Sequence, residues 1–132
     1  MNDLDHAQLL FSMAANDFKA LKGMLRLGNE TENFFSDEIF GFHAQQCVEK
    51  TLKAWIAARG ETYPRTHNLI SLLQILEAAG EETTAFEYLA DLNSFAVQFR
   101  YESLLDYDET LDREAVFEDV EKVFYHVRDI LN

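Results

Sequence analysis

Four polar side chains with chemistry to offer stand in one row: His43, Gln46, Lys50 and Lys53, spaced 3, 4, 3. On a helix that spacing puts all four on one flank, one above the next. An imidazole, an amide and two ammonium groups can hold a phosphate and hydrogen-bond a base or a sugar. The same row also reads as an ordinary polar flank, its stems lying along the core. Arg100 is a second candidate. Its guanidinium can grip a phosphate bidentately, or it can neutralise Glu102, Asp106 or Asp108. His67, in a turn before a helix, reads first as a capping or hydrogen-bonding residue. His6 and His126 suggest no role.

Other chemistries find no support. The acids Asp106, Asp108, Glu109 and Asp112 lack the glycine and the twelfth-position glutamate of an EF-hand. There is no CxxC, HExxH, GxxxxGK[ST] or GxSxG pattern. No metal or other cofactor is expected. The single cysteine, Cys47, falls on an apolar helical stripe and reads as a small buried hydrophobe in a reducing compartment.

The elements that must position these residues follow from periodicity. Residues 3–27 predict a long helix with Leu4, Ala7, Phe11, Ala14, Phe18, Leu21 and Leu25 on one face and Gly28-Asn29 as its end. Residues 28–36 read as a loop. Residues 37–59 predict a second helix, with Asp37 and Glu38 at its positive end and Gly60 as its stop. Its core stripe is Phe40, Ala44, Cys47, Thr51 and Trp55. Pro64 makes 60–66 a turn. A short helix over 68–79 is capped by Thr66 or Asn68 and carries Leu69, Leu72, Leu73 and Leu76. A fourth helix is predicted over 82–99, facing inward through Tyr88, Leu92, Phe95 and Phe99. Residues 100–111 read as a loop. Residues 112–131 predict a last helix with Val116, Val120, Val123, Val127 and Ile130 in 4, 3, 4, 3 spacing. The expected fold is all-α: an antiparallel up-and-down bundle of four long helices plus one short one, a single domain over 1–132.

Composition agrees. Hydrophobic residues make up 48% of 132, with only five glycines and one proline, too few turn formers for an all-β chain. No secretion signal or membrane span is expected, which fits a cytoplasmic protein. The net charge of −13 is uneven: residues 69–132 hold fifteen acids against four bases, whereas residues 37–68 hold four of each. Such acidity opposes non-specific binding to nucleic acid and leaves the middle third as the place to meet an anion. Eleven phenylalanines are many for one small core, and some are expected to line an interface.

The run from Phe42-His43-Ala44-Gln45-Gln46 through Glu49-Lys50 and Leu52-Lys53-Ala54-Trp55 resembles the HEPN family. So do Arg59-Gly60, Tyr63-Pro64, Thr66-His67-Asn68-Leu69, Phe99-Arg100-Tyr101 and a final amphipathic helix, over about residues 5–131. The resemblance implies an antiparallel bundle, a homodimer and a bacterial or archaeal cytoplasmic setting. It also implies pairing with a separate small nucleotidyltransferase, as in toxin–antitoxin or defence pairs. Two activities are associated with the family: nucleotide binding, and metal-independent RNA cleavage. Cleaving members carry an arginine followed, after four to six residues, by a histidine. A base must take the ribose 2′-hydroxyl proton while a cation steadies the phosphorane. Arg100 stands at the arginine position, but Leu105, Asp106 and Tyr107 stand where the histidine would fall.

Three readings follow. In the first, His43, Gln46, Lys50, Lys53 and Arg100 bind a nucleotide in a helical partner of a nucleotidyltransferase. In the second, Arg100 and Tyr107 cleave RNA, aided by His43 or His67. In the third, the chain is a non-catalytic protein-interaction module.

Overall fold

The computed structural model describes residues 3–30, 36–96 and 111–132, with the backbone alone over 27–30. Five helices and no strand are present among them: α1 (Asp3–Glu30), α2 (Asp37–Ala58), α3 (Leu69–Ala78), a 3-10 helix (Thr84–Phe95) and α4 (Arg113–Leu131). The expected all-helical bundle is therefore what the chain forms.

α2 is the central element, with thirteen of its twenty-two residues buried. Its ends follow from local chemistry. Ser36 accepts a hydrogen bond from the Ile39 amide at 3.2 Å, and Asp37 and Glu38 occupy the first turn. At the other end Gly60 takes a φ of 75°. Its amide reaches Ala57 O, and the Glu61 amide reaches Ile56 O. That is the paired closure a left-handed residue after a helix permits. Gly80 repeats the device after α3. Asn68 and Asp112 cap α3 and α4 through their side chains.

α1 runs antiparallel to α2: the Cys47 thiol meets Ala14 O, and His6 meets Tyr63. α4 runs in the direction of α2, with Arg113 on Asp37 at its start and His126 on Trp55 further along. The segment 61–68 doubles back along α2, so α3 also runs in the α2 direction. The ring of Phe18 stacks on Phe124 at 4.2 Å and on Phe117 at 5.2 Å, joining α1 to α4. The acids Glu87, Asp91, Glu114, Glu118 and Asp129 lie exposed or nearly so along the 3-10 helix and α4.

The fourth element corrects the sequence reading. It is a 3-10 helix from 84 to 95, not an α-helix from 82 to 99. Its buried residues are Phe86, Leu89, Leu92 and Phe95, each three apart, because a 3-10 helix turns every three residues. Tyr88 is consequently exposed; partial desolvation first, and then Asp119, raise its phenol above the ordinary range. α1 continues past Gly28-Asn29 to Glu30. Leu4 and Ile130, expected in core stripes, are 51% and 41% exposed, since each sits at an outer end of its helix. None of the eight described phenylalanines is among the exposed large hydrophobics; that surface is Leu, Met, Ile and Tyr. Phe99 and residues 100–110 lie outside the described residues.

Two core positions yield predictions. A Cβ at Gly41 would meet the ring of Phe95. Alanine gains about 1 kcal/mol of helix propensity, but overpacking against a buried ring costs about 1–3 kcal/mol. Gly41→Ala is expected to lower the urea midpoint. The Thr51 hydroxyl, fully buried, has no hydrogen-bond partner beyond its thiol neighbour Cys47 among the described residues. Thr51→Val removes that desolvated hydroxyl at constant shape and is expected to raise stability by up to about 1 kcal/mol in the same denaturation assay.

Candidate functional site

The exposed flank of α2 lies between α1 on one side and the returning segment 61–68 on the other. Two carboxylates organise it in the same way. Asp17 of α1 accepts from His43 Nδ1 at 3.0 Å through Oδ1 and from Lys50 Nζ at 2.8 Å through Oδ2. Glu49 of α2 accepts from His67 Nδ1 at 2.8 Å through Oε1 and from Lys53 Nζ at 3.1 Å through Oε2. Each carboxylate thus holds one imidazole and one ammonium. Since a carboxylate only accepts, each imidazole carries its proton on Nδ1 and leaves Nε2 for another partner. The side chains of His43 and His67 are 33% and 46% exposed, so neither imidazole is sealed in the core.

A chain of amides completes the flank. Gln46 donates to Gln45 Oε1 at 2.7 Å, and the fully buried Gln45 donates to Glu49 Oε1 and to His67 O. Lys53 also lies 5.3 Å over the ring of Tyr63, whose hydroxyl shares a hydrogen bond with His6 Nε2 at 2.8 Å. Burial first, and then the charge of Glu49, raise the Tyr63 phenol above its ordinary value. It stays protonated at neutral pH. Half-buried Phe42 meets His43 edge-on.

The sequence-predicted row is therefore one flank of α2, and all four of its members are there. Its two ammonium groups are already paired, so the flank is balanced in charge: two carboxylates face two ammonium ions. Arg100 and Tyr107 lie outside the described residues, as does the question of whether Arg100 shares this cleft. His67 is not merely a turn residue; it is held by Glu49. Sequence reasoning missed Asp17, Glu49, Gln45 and Tyr63. The available signal was an acid on an apolar stripe. Asp17 sits between Ala14, Phe18 and Leu21, and Glu49 beside Val48, where a solvated acid has no reason to be.

Cys47 is fully buried, as expected, and burial first, with Asp17 second, pushes its thiol far up, so it is not a nucleophile. Among the described residues no group of three or more His, Cys, Asp or Glu could hold a metal ion. No described helix is long and apolar enough to cross a membrane.

This architecture is a helical bundle with a polar, half-buried flank on its central helix. The chain belongs to the HEPN domain family, whose model matches residues 7–131. No curated protein and no solved structure gives a match.

Proposed function

We propose that this protein binds a nucleotide along the outer flank of α2, acting as the helical partner of a nucleotidyltransferase. The observation that carries the reading is the duplicated clamp: Asp17 and Glu49 each hold an imidazole by Nδ1 and leave its Nε2 for another partner. Preset donors and acceptors of this kind suit the edges of a base and the hydroxyls of a ribose. Half-buried Phe42 offers a ring for stacking. Lys50, Lys53 and Arg100 are the candidates for the phosphates. Because both lysines are already paired, phosphate contributes less here than base and sugar do.

Isothermal titration with ATP and GTP tests this. Binding is expected to weaken by at least about tenfold in His43→Ala, the value of one lost hydrogen bond to a polar ligand. No heat with either nucleotide, in well-folded wild type, removes the reading.

A second reading draws on the same observation. A carboxylate-held imidazole with a free Nε2 is the geometry a general base requires. RNA cleavage in EDTA, lost in both His43→Ala and Arg100→Ala, would replace the binding reading with a nuclease one.

A further inference from the structure

α3 and the 3-10 helix lie side by side and run in opposite directions. Asn93, near the end of the second, pins the start of the first: its side chain accepts from the Leu69 amide at 2.8 Å and donates to Asn68 Oδ1 at 2.9 Å. The short turn through Gly80 joins them at the other end. Along their outer seam runs a groove of about 320 Å³. Antiparallel order puts Ile70 and Ala90 at the pinned end, Leu73 and Glu87 midway, and Glu77 and Thr83 toward the turn.

The fold leaves three features of this groove unspent. Ile70 is 47% exposed, although its helix buries Leu69, Leu72, Leu73 and Leu76. Thr83 is only 3% exposed and stands at the N-cap of the 3-10 helix, yet its side chain makes no capping hydrogen bond. The third feature is charge. Residues 69–96 contain five acids and no lysine, arginine or histidine. Two of the acids are engaged within the fold. Glu81 holds Arg59 Nε at 3.0 Å and Trp55 Nε1 at 3.2 Å, and Glu82 accepts from the Thr84 amide at 2.9 Å. Glu77, Glu87 and Asp91 are exposed, and no cation among the described residues pairs with them.

We propose that this groove docks a basic amphipathic helix of a partner protein. The apolar anchors of that helix settle on Ile70, Leu73 and Ala90, and a lysine or arginine further along meets Glu77 and Glu87. An apolar groove with charge at one end reads a helix by the spacing of its anchors. Carboxylates with no base of their own fix the sign of the partner. A second copy of this chain is the wrong occupant, since at a net charge of −13 its approach to this face is repulsive. Because the walls are pinned at both ends, docking has little ordering to do on this side. None of the groove residues belongs to the α2 flank, so the proposal does not rest on the nucleotide reading.

Fluorescence anisotropy with the full chain tests it. The probe is a labelled peptide of leucine and lysine arranged as an amphipathic helix, beside a scrambled peptide of the same composition. The first is expected to bind at least about tenfold more tightly than the second. Ile70→Ser is expected to weaken binding about tenfold with an unchanged melting curve, and so is Glu77→Gln combined with Glu87→Gln. Glu114→Gln combined with Glu118→Gln removes the same charge from α4, and should change binding by less than about twofold. No binding by the wild type, equal binding of the scrambled peptide, or an equal loss from the α4 pair would each overturn the proposal. Displacement of the peptide by spermine at the peptide's own concentration would make this a site for free amines and overturn it too.

Discussion

Glu49→Ala is expected to lower the unfolding free energy by about 3 kcal/mol, at the lower end of what removing one partner of a buried pair costs. The lower end applies because Lys53, at 13% side-chain exposure, can turn partly outward once released. Gln45 cannot: it is fully buried and is left with the His67 carbonyl as its remaining acceptor for that amide group. His67 loses its only described side-chain anchor, so the segment 61–68 loosens over α2 along with α3's start. A change of this size shifts Tm by roughly 10–15 °C in a domain this long. Thermal melts of Glu49→Ala beside Glu49→Gln check the cause. The glutamine keeps an oxygen for His67 but not the charge, so it should lose about half as much. Equal losses would show that charge, not shape, holds this flank.

Phe18→Ala is expected to cost about 3–5 kcal/mol, the range for deleting a buried aromatic. Phe18 is 4% exposed and lies against Phe117, Phe124 and Tyr125, so its removal opens a cavity bordered by rings that cannot collapse together. Lys22, 4.9 Å over the same ring, is a control. Lys22→Ala loses an exposed cation–π contact of about 0.5–1 kcal/mol. Urea denaturation of both variants separates the two terms. Against a total stability of about 5–15 kcal/mol, the Phe18 change removes a large share of what holds the domain folded.

Most of the scaffold was readable before any coordinate. In α2 and α4 the 4, 3 spacing of apolar residues is unambiguous, and capping residues stand one step before each start. The 3-10 helix was not readable for a specific reason. Leu92 and Phe95 fit both periods, and the sequence extends each set: Tyr88 and Phe99 for an α-helix, Phe86 and Leu89 for a 3-10 helix. Packing against Gly41 and Trp55 chose between them. The sense of α3 was equally hidden, because a turn of eight residues can reverse a chain or carry it back beside its predecessor. As for the site, the row on α2 was visible because all its members lie on one helix. Its organisers come from α1, in the case of Asp17, and from within the apolar stripe, in the case of Glu49. Spacing along α2 carries no information about the first, and each shows in the sequence only as an acid set among apolar neighbours.

The placement of the acids along the 3-10 helix and α4 has a kinetic consequence. The molecule is a lopsided electrical object: strongly negative on one side, balanced along α2. An approaching anion is repelled by these acids and meets a balanced set of charges along α2. Proteins that attract polyanions with basic patches lose association rate as salt is added. Here added salt screens a repulsion, so an anionic ligand is expected to associate faster, up to the ionic strength at which the far side no longer reaches it.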